Sequence, residues 1–188
     1  MLGSPLGLAT TAELNRPMSG LCRRTMPQLF PQCPVEKVIS GGQTGVDRAA
    51  LAVAVYLEIA HGGWCPLGRR AEDGTIPEFY NLQETDSSNY AVRTLQNILE
   101  SDGTLVLTRG MISGGTALTI NLANRNRRPL LVLNLAEEHE YAALRQWLMQ
   151  HQIRILNVAG PRESSEPNIT AEAEQFLING LSDFDLPT

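Results

Sequence analysis

The sequence predicts an α/β fold of Rossmann-like, doubly wound type, a single domain built on a mainly parallel sheet. Three observations predict it. Apolar runs short enough to be strands alternate with segments whose apolar residues recur at helical spacing. The strands are apolar nearly throughout, as strands covered on both faces must be. Two of the strand-to-helix junctions carry paired glycines, the signature of a sheet whose ligands bind beyond the carboxyl ends of its strands.

In chain order, Lys37-Val38-Ile39-Ser40 reads as a short strand ending in Gly41-Gly42. The segment from Gly45 to Ile59 reads as a helix, with Val46, Ala50, Val53, Ala54 and Leu57 on one side. His61 to Pro77 is rich in Gly, Pro and Arg and reads as a long loop. A helix over Ser88–Leu99 precedes the apolar strand Thr104–Thr108. Gly114-Gly115 then opens a helix from Thr116 to about Asn124. Leu130–Leu135 is a third strand and Glu138–Gln150 a helix showing Tyr141, Leu144, Trp147 and Leu148 on one face. Ile153–Val158 is a fourth strand, ending at Gly160-Pro161, and Thr170–Leu181 a closing helix.

At 188 residues the chain is long enough to bury one substantial core. Residues 1–34 stand apart: Pro5, Pro17, Pro27, Pro31 and Pro34 fall in a stretch with no sustained period of 2 or 3.6. This segment reads as an extension, disordered or preceding the true start, and residues 35–188 as the ligand-binding domain. Its charges are Arg16, Arg23 and Arg24 against Glu13, so the remainder is more acidic than the whole.

The formal net charge of −5 carries no basic stripe of the kind a nucleic-acid binder shows. Arg125, Arg127 and Arg128 are the tightest basic run, and they fit a helix end where cations complement the dipole. Cys22, Cys33 and Cys65 have neither metal-ligand spacing nor an even count, which points to a reducing compartment, and no residue is assigned to a metal. No apolar run approaches the ~20 residues of a membrane span. These observations together place the protein in the cytoplasm, away from membranes and nucleic acid. They leave a homo-oligomer open.

Four constellations carry candidate chemistry. The first runs Ser40-Gly41-Gly42-Gln43-Thr44-Gly45-Val46-Asp47-Arg48. Glycines after a strand let a ligand reach main-chain N–H groups, and the following helix start favours an anion. Thr44 and Asp47 fit a capping box with Asp in place of Glu. Alternatively Asp47 faces the cleft, where a carboxylate beside a phosphate needs a metal or a ribose hydroxyl as its partner.

The second is Thr108-Arg109-Gly110 followed by Ser113-Gly114-Gly115-Thr116, again between a buried strand and a helix. Neither turn is a Walker A loop or a G-x-G-x-x-G fingerprint. Parallel strands end on one side, so the two turns should share one anion-binding cleft, and a negative charge at Gly42 or Gly115 should weaken it. The third is the loop with Trp64, able to stack on a heterocycle, and Arg69 and Arg70, able to fork onto an oxyanion. Cys65 within it reads as a buried packing residue, and His61 is left unassigned, a helix-terminal histidine being the commoner outcome. The fourth is Asn157-Val158-Ala159-Gly160-Pro161-Arg162, where Arg162 either reaches the cleft or lies in solvent. The ligand implied is small and phosphate-bearing.

As a set, Ile39–Arg48, His61–Pro66 with Arg69–Gly74, Ser113–Thr119 and Leu156–Glu163 resemble the putative molybdenum carrier family, a circularly permuted branch of the SLOG superfamily of Rossmann-like ligand binders. The resemblance runs from Val38 to about Leu181. It implies binding of a nucleotide-derived ligand or of molybdenum cofactor, a phosphate-bearing pterin, carried as cargo. A related group, the cytokinin-activating phosphoribohydrolases, has the motif Pro-Gly-Gly-x-Gly-Thr-x-x-Glu. The corresponding stretch here, Ser113 to Ile120, lacks the catalytic carboxylate. A carrier is therefore the leading expectation. The alternative is an enzyme of nucleotide metabolism, an N-glycosidase or phosphohydrolase using Asp47 or Glu72 with Arg109.

Overall fold

Short apolar strands need partners for every main-chain group, and here they find them in a parallel sheet. The computed structural model describes residues 33–137 and 141–182. The expected N-terminal extension, apart from its last two residues, and the expected first turn of the 138–150 helix lie outside them. The elements run β1 (Lys37–Ile39), α1 (Val46–Tyr56), β2 (Ala60–Gly62), β3 (Trp64–Cys65), β4 (Arg70–Ala71), β5 (Gly74–Thr75) and β6 (Gln83–Glu84). They continue α2 (Tyr90–Leu99), β7 (Gly103–Thr108), α3 (Gly114–Arg125), β8 (Leu130–Asn134), α4 (Tyr141–Gln150), β9 (Ile155–Ala159) and α5 (Ile169–Ser182).

The central sheet has the order β2-β1-β9-β7-β8, and all its pairings are parallel. It is thus the Rossmann-like arrangement expected. The steps β1 to β2 and β8 to β9 run one way across the sheet; β2 to β7 and β7 to β8 run the other. Right-handed crossovers then put α1 and α4 on one face and α2 and α3 on the opposite face. The packing agrees, since α1 and α4 both lie against α5 while α2 lies against α3.

The main core fills the α1/α4/α5 side. Leu105 and Leu107 of β7 and Leu156 and Val158 of β9 meet Val53, Leu148, Phe176 and Leu177 there, all buried. The other face is more polar: Asn157 of β9 donates to the hydroxyl of its cross-strand neighbour Thr104 at 3.1 Å, both buried. Where β1 ends, the buried Ser40 hydroxyl donates to the Val158 carbonyl at 2.8 Å, which locks the first turn to β9.

The segment read as a long loop contains structure. Ala60-His61-Gly62 is an edge strand beside β1, although nothing in its residue types suggests one. Beyond it β3 pairs with β6, and β4 with β5, around a small second cluster of Leu51, Cys65, Ile76, Tyr80 and Leu82. Cys65 is completely buried in that cluster, and burial pushes its thiol up. No helix among the described residues is long and apolar enough to cross a membrane.

Replacing the buried Leu107 by Ala is expected to cost about 2–5 kcal/mol in urea denaturation. The same change at the exposed Tyr56 should stay within about 0.5 kcal/mol.

Candidate functional site

The carboxyl ends of β1, β9 and β7 open onto a cleft of about 410 Å³, a size that suits a small molecule. The first turn contributes Gln43 and Asp47, and the second contributes Thr108 and Ser113 to Thr116. The end of β9 supplies Gly160 and Arg162, and α2 supplies Tyr90 and Arg93. The two glycine turns therefore meet at one cleft, but they do different work there.

The second turn is the open one. A Cβ added at Gly114 or Gly115 would meet nothing within 4 Å. Ser113 stands at the N-cap without a side-chain capping bond, so the first N–H groups of α3 have no intrahelical or capping acceptor. This helix start presents donors and a partial positive charge to empty space.

The first turn is crowded by protein where the second is open. Val46 donates its N–H to the Pro161 carbonyl at 3.2 Å, so α1 is capped by β9's own exit loop. A Cβ at Gly45 would lie 2.3 Å from that same carbonyl. At Gly42, with φ at +73°, it would lie 2.6 Å from Leu82 in the second cluster, so a charge placed there perturbs packing rather than a ligand. The Thr44–Asp47 capping box does not form either. Thr44 donates its hydroxyl to Glu72 instead, and Asp47 pairs with Arg93.

That ion pair supplies the partner a cleft carboxylate needs, and it is neither a metal nor a ribose. Arg93 Nη1 lies 3.0 Å from Asp47 Oδ2, with 13% and 5% of the two side chains exposed. It also explains Gly41: a Cβ there would sit 1.2 Å from Arg93 Nη1. The guanidinium occupies the space that a side chain would fill. Sequence reasoning missed Arg93, which sits 46 residues from Asp47 in a helix without a motif. The usable signal was the buried aspartate itself, which demanded a cation.

Arg162 holds its guanidinium 5.2 Å from the centre of the Tyr90 ring, a cation–π arrangement that keeps the charge at the cleft. The other cleft carboxylate, Glu166, faces Arg109 at 3.7 Å.

Several expected site residues are committed elsewhere. Arg109 pairs with Glu172 at 2.5 Å and donates to the Pro167 carbonyl at 2.6 Å, turned toward α5. Arg69 donates to the carbonyls of Ile76, Leu82, Pro77 and Tyr80, all within 3.1 Å. Its fork pins the 76–82 segment and is not offered to an oxyanion. Arg70 lies exposed on β4. Trp64 has its backbone gripped by Asn97 through bonds of 2.7 and 3.0 Å. Neither Trp64 nor Arg70 lines the cleft.

Around the rim, Glu72 and Glu163 act as latches. Glu72 accepts from Thr44 and from both the N–H and hydroxyl of Ser164. Burial raises its carboxyl, and the bonds from Ser164 and Thr44 with Arg162 nearby outweigh that and hold it below the usual range. Glu163 accepts from the hydroxyl and N–H of Thr170 and the N–H of Asn168, capping α5, and those bonds hold its carboxyl low. Among the described residues, no three of His, Cys, Asp and Glu gather as a metal site.

Comparison with known proteins fits this geometry. The model of the circularly permutated YpsA SLOG family matches residues 38–181. The chain belongs to that family. It is also similar to the crystal structure of a putative molybdenum carrier protein from Syntrophus aciditrophicus SB, with 42% identity and a TM-score of 0.79. That match covers 81% of this chain and 98% of the other. No match is found among curated proteins.

Two outcomes are expected. Gly41→Ala should expel the Arg93 guanidinium and leave Asp47 buried without its partner, a loss of about 3 kcal/mol. Arg93→Ala should lose about as much, and the double variant little more, in a denaturation cycle.

The lowered Glu72 and Glu163 carboxyls contribute stability that is fully present above the ordinary glutamate value of about 4.3. That contribution is lost as pH falls through their lowered folded-state values. The hydrogen-exchange protection factors of the Ser164, Asn168 and Thr170 amides should hold down to about pH 4.3 and fall below it.

Proposed function

We propose that this protein binds and carries a phosphate-bearing small molecule in the cleft between β1, β9 and β7, with molybdenum cofactor as the named candidate cargo. The observation that carries the reading is the start of α3. Its unpartnered N–H groups face space that a side chain at Gly114 or Gly115 would leave unobstructed, the arrangement in which a helix receives a phosphate. Arg162 lines the same cleft and adds positive charge, while Arg93 offsets Asp47 there.

Cargo of the molybdenum cofactor type suits these donors through its phosphate. The similar protein from Syntrophus aciditrophicus is named a putative molybdenum carrier, which supports that choice of candidate. Holding rather than reacting is supported by the cleft's carboxylates: Asp47 is matched by Arg93 at 3.0 Å and Glu166 by Arg109 at 3.7 Å. Glu72 and Arg109, the other groups an enzyme of nucleotide metabolism would draw on, do not line the cleft. Free Cys33 and Cys65 suit the reducing cytoplasm where we place this activity.

The test is Gly115→Asp. The position has room for the side chain and no positive φ, and an aspartate in a helix's first turn favours the helix. The variant should therefore fold, with an unchanged circular dichroism spectrum. Titration calorimetry with inorganic phosphate, nucleoside monophosphates and a phosphorylated pterin should show affinity at least tenfold weaker than wild type, about 1.4 kcal/mol. Equal affinity in the folded variant, or no binding by wild type, overturns the proposal.

A further inference from the structure

The buried polar groups around the cleft include one whose orientation is fixed and whose donors have no acceptor. Gln43 is 3% exposed and lines the cleft. Its Oε1 accepts from two backbone N–H groups, those of Thr44 at 3.1 Å and Glu72 at 2.8 Å. A flipped amide would set its NH₂ against both of those donors, so the assignment of oxygen and nitrogen is unambiguous. The Nε2 group is consequently turned away from them, is buried, and has no hydrogen-bond partner among the described residues. Arg93, the neighbour that lines the same wall, likewise has a buried Nε without a partner.

Buried donors are almost always satisfied in folded proteins, and an exception on a cleft-lining residue calls for a partner that the described residues do not supply. Everything else about Gln43 is settled by the fold. Its carbonyl end ties the first turn to Glu72, whose carboxylate in turn holds Thr44 and Ser164. The amide end is thereby set in place before any ligand arrives, a preorganised donor rather than a flexible one.

We infer that Gln43 is the specificity-determining residue of the cleft: its Nε2 donates to a neutral acceptor, a carbonyl oxygen or ring nitrogen, on the body of the ligand whose phosphate sits at α3. The ligand class is then a phosphomonoester of a heterocycle bearing such an acceptor, and not inorganic phosphate or a simple sugar phosphate. This rests on the phosphate site proposed above and deepens it. A site with a buried donor rejects an analogue that lacks the matching acceptor, because the donor then stays unpaired.

Gln43→Glu separates the two ends of the side chain. A carboxylate still accepts from Thr44 and Glu72, so the first turn should be kept, at a cost in melting temperature for the buried charge, whereas the donor is gone. Gln43→Met removes both ends of the amide without adding charge. The probes are inorganic phosphate, ribose 5-phosphate, guanosine 5′-monophosphate and a pterin carrying a phosphomonoester, each titrated against wild type and both variants.

Wild type should bind at least one heterocyclic probe tenfold or more tightly than ribose 5-phosphate, and both variants should erase that margin. Inorganic phosphate affinity should change by less than threefold in Gln43→Met. If the margin survives in both variants, or is absent from wild type, the role given to Gln43 is wrong. The phosphate site stands in that case, provided Gly115→Asp still weakens inorganic phosphate binding at least tenfold. If Gln43→Met weakens inorganic phosphate as much as the heterocycle, Gln43 belongs to the anion site and the inference fails. If no probe binds wild type, the proposed function and this inference fall together.

Discussion

The handedness of parallel crossovers is the constraint on which this structure depends. With β9 set between β1 and β7, α1 and α3 leave their strands toward opposite edges of the sheet, and handedness sends them to opposite faces. The ends of those strands are thus left uncovered between the two helix starts, a topological switch point of the kind where α/β sheets bind ligands. Because β9 occupies the centre, its exit loop runs through the gap. There it closes one helix start with the Pro161 carbonyl and leaves the other open. The asymmetry of the cleft, one donor-rich wall and one wall of side chains, is a product of that single placement.

The charge arrangement follows from it. An aspartate at the start of α1 would repel an anion at the start of α3. Arg93 offsets it by reaching from α2 on the opposite face into the vacancy over Gly41. The missing Cβ at Gly41 therefore serves a side chain, and the Val46 N–H serves the fold. Rim carboxylates are handled in the same way: Glu72 and Glu163 spend their acceptors on local N–H and hydroxyl groups, which ties the 72–75 turn and the 163–170 segment together beside the cleft.

Much of the sheet was legible because its information is local. β7, β8 and β9 are apolar runs, and the helices between them show their period directly. The edge strand β2 was not, because Ala60-His61-Gly62 pairs only to satisfy β1, and no property of those three residues encodes that demand. The site divides along the same line. Ser113 to Thr116 line the cleft as their turn position implies, and Gln43, Asp47, Thr108 and Arg162 join them. Arg69 and Arg109 have the same side chain as Arg93, yet their guanidinium groups are consumed by carbonyls and carboxylates of segments that meet only in the folded chain. Residue type declares what an arginine is able to do, and only the tertiary neighbours decide which arginine remains to do it.

The central position of β9 also bears on synthesis. The cleft needs Gln43 and Asp47 from the start of the sheet and Gly160 to Arg162 from its last strand, more than a hundred residues later. Until β9 has emerged from the ribosome and slotted between β1 and β7, those two strands have no shared neighbour and α1 has no Pro161 to cap it. The cleft is therefore a late product of translation, and a nascent chain holding only the first four-fifths of the sequence lacks one of its walls. Such long-range closure also slows folding.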